Sequence, residues 1–274
     1  MMAPGDLVTL AAVKSWLKVE DLKANPDQEL ARLIRSASAA VLNYCNKNAG
    51  FGWVEQVNIY DGNGMNFLVM REDTVTDIVS IDLGNGTLLT TPSTGSPPSN
   101  GFLIPDDTKG QQRLVLRGYC FPRGRSNITV TYHAGFRVLN EAQTVGPATG
   151  VDALSAQVAL SWLGDLGVTL ANGTPLAPVP ASPAAMQYSV ADGVYLFNVA
   201  QALAPVLISY QQCPDDVAEA AIELVGERYK VRNRIGEVSH AMGGQTNTTT
   251  AFSQKDMNDF IKAALRPYRK VAPA

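Results

Sequence analysis

Only two histidines, His133 and His240, are available for proton transfer or metal ligation near neutral pH, so imidazole chemistry has few possible centres. His133 closes the strand-like run NITVTYHAGF and His240 falls in a loop with Gly and Ser. A structural role is expected for both, with a partner contact as the second reading for His240. Ser239 adjoins His240, yet adjacent side chains seldom face each other and no G-x-S-x-G occurs. Cys45, Cys120 and Cys213 are odd in number, far apart and outside any C-x-x-C, which argues for reduced thiols rather than zinc or a disulfide framework. Asp106-Asp107 and Asp215-Asp216 lack the alternating oxygen ligands of a calcium loop and suit turns and caps. There is no P-loop and no G-x-G-x-x-G after a strand; Gly62-Asn63-Gly64 and Gly84-Asn85-Gly86 read as hairpin turns. Trp16, Trp53 and Trp162 have no interleaved basic residues, so they read as core or interface anchors. The expectation is a chain that performs no reaction and uses no cofactor or metal.

Binding therefore has to be sought in surfaces. A hydrophobic content of 46% with 17% charged residues excludes wholesale disorder, and 274 residues suffice for one large or two small domains. The net charge of -3 is too small to mark the whole chain as a nucleic-acid or membrane binder. No segment approaches ~18 unbroken apolar residues, and MMAPGDLVTL lacks a basic region leading into an apolar run. A cytosol-like compartment is expected, or assembly there into something larger. The charge is unevenly spread: from Glu227 onward nine basic residues stand against four acids. That end suits an acidic surface or nucleic acid, or is simply a solvated helical end.

The elements that position these residues begin with the clearest helix, Pro214 to Gly236. Ala218, Ile222, Val225 and Tyr229 form its apolar stripe, Asp216 and Glu219 have capping-box spacing, and Lys230, Arg232 and Arg234 suit the C-terminal dipole. Upstream, Thr9 caps a short helix, and Asn25-Pro26 opens a longer one carrying Leu30, Ile34, Ala37, Val41 and Cys45 along one side. From Trp53 the period becomes two, in runs such as VEQVNIY, NFLVM, DIVSIDL and RLVL, with Asp61-Gly62-Asn63-Gly64 expected to join the first two as a hairpin. Thr90 to Gly101 reads as an exposed loop. After Phe136, MQYSV, VYLFN and VLISY read as strands with Ala191-Asp192-Gly193 as a turn, and Arg137 to Cys213 reads as an inserted β module. The Gly/Thr-rich stretch after Gly236 is expected to be a flexible loop. Ser253 then caps a last helix whose stripe is Met257, Phe260, Ile261, Ala264 and Leu265, ended by Pro267.

This order of elements resembles the head–tail connector (adaptor) family of long-tailed bacteriophages. The resemblance is carried by a β region opening IYDGNG and closing RGRSNITVTYHAGF, then PDDVAEAAIELVGERYKVRNRIGE, a Gly/Ser/Thr loop and a terminal LRPYR. It covers roughly residues 7–136 and 214–270. It implies an α+β fold: a bundle of about four helices with a β-rich extension, 1–136 together with 214–274 forming the connector core and 137–213 an inserted small β domain. Within it, the segment from about Ala153 to Tyr210, with DLGVTLANGTPL, QYSV, GVYLF and VLISY, resembles a small β module that recurs in tailed-phage virion proteins.

The family further implies a twelvefold homo-oligomeric ring under the portal, in the virion neck, assembled in the host cytoplasm. The implied partners are the portal protein, a tail-completion, stopper or tail-terminator protein, and the chain itself. DNA would pass through the lumen without sequence-specific binding, and no membrane is involved. The residues implied at the portal or subunit interface are Arg232, Arg234, Lys255, Phe260, Ile261, Lys262, Leu265, Arg266, Tyr268, Arg269 and Lys270. The alternative is a β-module ligand-binding protein, such as a carbohydrate binder, or a virion decoration.

Overall fold

The computed structural model describes residues 5–18, 26–47, 50–72, 74–95, 99–104, 112–146, 154–157, 161–231, 239–242, 248–251 and 257–270. Contacts divide the chain into two compact units, one of residues 1–51 with 137–269 and the other of 52–136 with 270–274.

Four α-helices lie in the first unit: α1 (Leu10–Leu17), α2 (Pro26–Cys45), α3 (Asp215–Val231) and α4 (Asp259–Leu265). Thr9 caps α1, its hydroxyl accepting the Ala12 N–H at 3.1 Å, which satisfies one of the donors a helix start leaves open. The expected stripe of α2 is wholly buried, from Leu30 to Cys45. Helix α3 sits at the centre, touching α1, α2 and α4, and is accordingly buried over more than a stripe: Val217, Ala221, Leu224 and Val225 are fully enclosed. Gly226 is required there, since a Cβ would lie 2.3 Å from the Trp16 ring of α1. The capping box placed on Asp216 does not form as such. The Pro214 carbonyl accepts the first helical N–H groups, Val217 at 2.9 Å and Ala218 at 3.0 Å, so Asp216 lies inside the first turn.

The same unit contains β8 (Arg137–Thr144), β9 (Leu154–Gln157), β10 (Trp162–Leu170), β11 (Ala177–Pro178), β12 (Gln187–Ala191), β13 (Val194–Phe197) and β14 (Pro205–Gln212). They form a three-stranded sheet, β10-β14-β8, and a four-stranded one, β11-β12-β13-β9. The β12–β13 hairpin turns on Asp192 and Gly193, with φ of 50° and 82°, the double left-handed pair that a two-residue turn demands. Between the sheets lie Val168, Tyr188, Tyr195, Phe197, Val206 and Ile208. A further pair, β15 (Ser239–Met242) with β16 (Thr248–Ala251), is antiparallel, His240 opposite Thr250. The loop expected there is therefore partly a ladder, as the run of β-branched threonines favours.

The second unit holds two sheets. One, in the order β1-β7-β3-β4, uses β1 (Val54–Gly62), β3 (Val75–Asp82), β4 (Leu88–Leu89) and β7 (Gly124–Ala134); the other, β2-β6-β5, uses β2 (Phe67–Val69), β5 (Gly101–Leu103) and β6 (Arg113–Arg117). Ile81, Leu114, Phe121, Ile128, Val130 and Tyr132 fill the space between them. The β1–β2 hairpin expected at Asp61-Gly64 is not formed: β1 pairs with β7, and β2 with β6 in the other sheet. Gly62 serves a close approach instead, since a Cβ there would stand 1.7 Å from the Pro122 carbonyl oxygen.

The expected fold class needs correction. Strands hold 40% of the described residues and helices 27%, so this is a mostly β protein and not a helical bundle with a β extension. Helical periodicity is conspicuous in sequence because α2 and α3 run to 20 and 17 residues, whereas the strands are numerous and mostly short. Segments such as RVLNEAQT, polar on alternate positions, join sheets without an apolar run to announce them.

Candidate interaction surface at the C-terminal end

Helix α4 is capped by Asn258, whose side-chain oxygen accepts the Ile261 N–H at 2.8 Å. The same amide donates to Glu227 at 2.6 Å, fixing the helix start to α3. Ser253 lies outside the described residues, and the helix begins at Asp259. Ile261 and Leu265 are completely buried, and the Cys45 thiol donates to the Leu265 carbonyl at 4.0 Å. Phe260 does not share that face: it is 71% exposed. One residue turns a helix by about 100°, and the line of Ile261 and Leu265, four apart, takes the contact.

The other residues of the expected interface fall into distinct groups. Arg266 and Arg269 are exposed, with the Arg269 guanidinium 5.6 Å over the Tyr44 ring. Lys262 is half-buried and 3.9 Å from Asp259. Tyr268 turns inward: its hydroxyl donates to Asp216, its ring meets Phe51 edge-on at 6.1 Å, and burial together with the Asp216 charge pushes its pKa up. Lys270 reaches Glu72 at 2.7 Å, both side chains largely enclosed. Arg232, Arg234 and Lys255 lie outside the described residues. Thus Phe260, Arg266 and Arg269 are exposed and Lys262 partly so, while Ile261, Leu265, Tyr268 and Lys270 hold the chain's own structure.

His133 stacks on Trp53, ring centres 4.0 Å apart and 9° from parallel, with the Glu55 carboxylate 3.8 Å from its Nε2. Trp53 is held in turn by donating to Thr76 at 2.9 Å. Cys45 and Cys213 are buried, and burial drives the Cys213 thiol pKa well up, making it a poor nucleophile. No group of three His, Cys, Asp or Glu able to hold a metal occurs among the described residues, and none of their helices is long and apolar enough to cross a membrane. A shallow depression of about 550 Å³ is lined by Asn66, Leu116, Arg117, Tyr119 and Cys120, and brings together no acid–base pair. The five aromatic residues of 137–213, Trp162, Tyr188, Tyr195, Phe197 and Tyr210, are all buried, so that segment offers no ring on which a sugar could stack.

Sequence reasoning missed a second surface, the outer side of the sheet β1-β7-β3-β4, where Val57, Ile59, Val79 and Leu88 are exposed. A signal was present: in VEQVNIY both alternating faces of the strand carry apolar residues.

No protein-family model matches the chain, and no curated protein matches it. Among solved structures it is similar to a chain from the neck of an empty GTA particle computed with C6 symmetry. The TM-score is 0.45 and the identity 13%, over 100% of this chain and 95% of that one.

Proposed function

We propose that the protein is a structural head–tail connector of a phage-like virion. It forms a ring beneath the portal, extends the DNA channel, docks the next tail-completion protein and catalyses nothing. The observation that carries the reading is the construction of α4. One face is locked into the helical core by Ile261, Leu265 and the Asn258 cap, while Phe260 and Arg266 are left exposed on a fixed scaffold. A large exposed aromatic ring is the kind of residue that anchors a binding hot spot, and Phe260 lies five residues before LRPYR, the end that resembles the connector family. On this reading 137–213 is an inserted module facing another virion protein, and the described basic residues contact protein rather than DNA.

Native mass spectrometry and negative-stain imaging of the purified chain, alone and mixed with its cognate portal, test the proposal. A ring of a dozen or so copies is expected. A monomer that ignores the portal would overturn it.

A further inference from the structure

Four Asn-Gly pairs occur in the chain, Asn63-Gly64, Asn85-Gly86, Asn100-Gly101 and Asn172-Gly173. Such pairs carry latent chemistry, because the glycine nitrogen can attack the side-chain amide carbon of the asparagine and no Cβ on the glycine obstructs it. All four asparagines are exposed. Three of them form the same local turn: the Oδ1 of Asn63, Asn85 and Asn172 accepts the N–H two residues on, at 2.8, 3.1 and 3.0 Å. That turn folds the side-chain amide over the next peptide unit, and an N–H on Oδ1 favours the negative charge the oxygen acquires during attack.

The pairs differ at the nucleophile. The Gly64 N–H donates to the Phe121 carbonyl at 2.9 Å and the Gly173 N–H to the Leu170 carbonyl at 2.8 Å, while Gly101 is buried in β5 opposite Arg117. Asn63 is held further by its own amide, which donates to the Phe67 carbonyl at 2.8 Å. The Gly86 N–H has no hydrogen-bond partner among the described residues, and a Cβ placed on Gly86 would meet nothing within 4 Å. A bonded N–H has to be released before its nitrogen can attack; that of Gly86 is free in the folded state. Asn172-Gly173-Thr174 is the matched case. It repeats the tripeptide Asn85-Gly86-Thr87, with the same turn and an equally open glycine, and differs in the tied N–H.

We propose that Asn85 is a site of self-modification, where the folded protein converts this asparagine into aspartate and isoaspartate. The Gly86 nitrogen loses its proton to solvent and bonds to Cγ of Asn85; the Cγ–Nδ2 bond breaks, and the amide takes a proton from water and leaves as ammonia. Water then opens the cyclic imide. Cleavage between the nitrogen and Cγ gives aspartate, and cleavage between the nitrogen and the main-chain carbonyl carbon gives isoaspartate. The sum is one water consumed and one ammonia released, with nothing oxidised or reduced. Aspartate keeps an oxygen for the Thr87 N–H. Isoaspartate adds one carbon to the main chain inside the turn that joins β3 to β4, which is closed by the Leu83 N–H on the Thr87 carbonyl at 3.0 Å. Either product adds a negative charge to a turn that already carries Asp82. The modification does not depend on the connector reading.

The purified chain, held at mildly alkaline pH, is sampled at intervals and digested under mildly acidic conditions. The four asparagine peptides are then followed by liquid chromatography with mass spectrometry, which resolves the two acidic products. Asn85 should convert at least about threefold faster than Asn172, the factor expected from one net hydrogen bond, and faster than Asn63 and Asn100. In denaturant Asn85 and Asn172 should convert at equal rates, since their tripeptides match. Conversion of Asn85 no faster than that of Asn172 in the folded chain would overturn the assignment. So would a preference for Asn85 that persists undiminished in denaturant, because the cause would then lie in local sequence and not in the fold.

Discussion

The two β regions solve the same packing problem with different materials. In 52–136 the core is mainly aliphatic, with Phe102 and Phe121 among the rings, and its buried hydroxyls form one short chain, Asn58 donating to Tyr132, which also bonds Tyr60, whose hydroxyl accepts the Arg71 N–H. In 137–213 every aromatic residue points inward, and the polar tips must be satisfied there. The hydroxyls of Tyr188 and Tyr195 both donate to Asp165, the latter at 2.9 Å, Trp162 donates to Tyr195 at 3.2 Å, and Tyr210 donates to Glu141. Buried polar groups are tolerated when paired, and a linked set specifies one arrangement more sharply than apolar packing alone. The difference bears on function. A region that spends its rings on its own core has none to offer a ligand, while the region with the plainer core leaves Val57, Ile59 and Leu88 on its outer sheet.

The contrast is sharpened first by truncation. Phe121→Ala removes a completely buried ring from the aliphatic core and should cost about 3–5 kcal/mol, read from the shift of the denaturant midpoint. Tyr195→Phe keeps the ring but deprives the buried Trp162 N–H of its acceptor and Asp165 of a donor. A loss of about 1–3 kcal/mol is expected, the usual cost of leaving a buried polar group unpaired. A change indistinguishable from an exposed substitution, within about 0.5 kcal/mol, would mean that the polar set contributes nothing and that both regions are held by packing alone.

How much of this was legible in the sequence depended on where the cause lay. Thr9 as a cap, the α2 stripe and the Asp192-Gly193 turn are local, set by residues within one or two turns of chain, and each was readable. The pairing of β1 with β7, 62 residues later at Gly62 and Gly124, was not, because DGNG reads equally well as a hairpin and only the tertiary close approach to Pro122 decides. The class was misjudged for a related reason: strand pairing is non-local, so short strands advertise themselves less than helices do. At the candidate site, the apolar stripe of α4 was visible but its rotation was not. Phe260 was grouped with Ile261 and Leu265, and packing against α3 turned it outward. The bare face of β1 was missed because alternation shows that a strand has two sides and not which one is covered.

A smaller effect separates the two regions by pH. Burial raises the pKa of Tyr132 in the first region, and of Tyr188 and Tyr195 in the second, where Asp165 adds to the shift in both. The fold therefore holds these groups neutral, whereas in the unfolded chain they ionise near pH ~10. Below that pH folded and unfolded states bind the same protons at these sites, so the contribution is flat and fully present. Above it the unfolded state binds fewer protons, and stability falls as pH rises toward the folded values. With two such tyrosines against one, the stability of 137–213 should fall more steeply above pH ~10 than that of 52–136. Backbone amide exchange followed by mass spectrometry, stepped upward from pH 9 with the intrinsic rate at each pH divided out, would report the slope region by region. Tyr195→Phe removes one titrating group and should flatten the alkaline slope of the second region toward that of the first, even though it lowers stability at neutral pH. A variant whose second region is both weaker at neutral pH and equally sensitive to base would show that the hydroxyl acts only as a hydrogen-bonding group, and that its proton is not linked to folding.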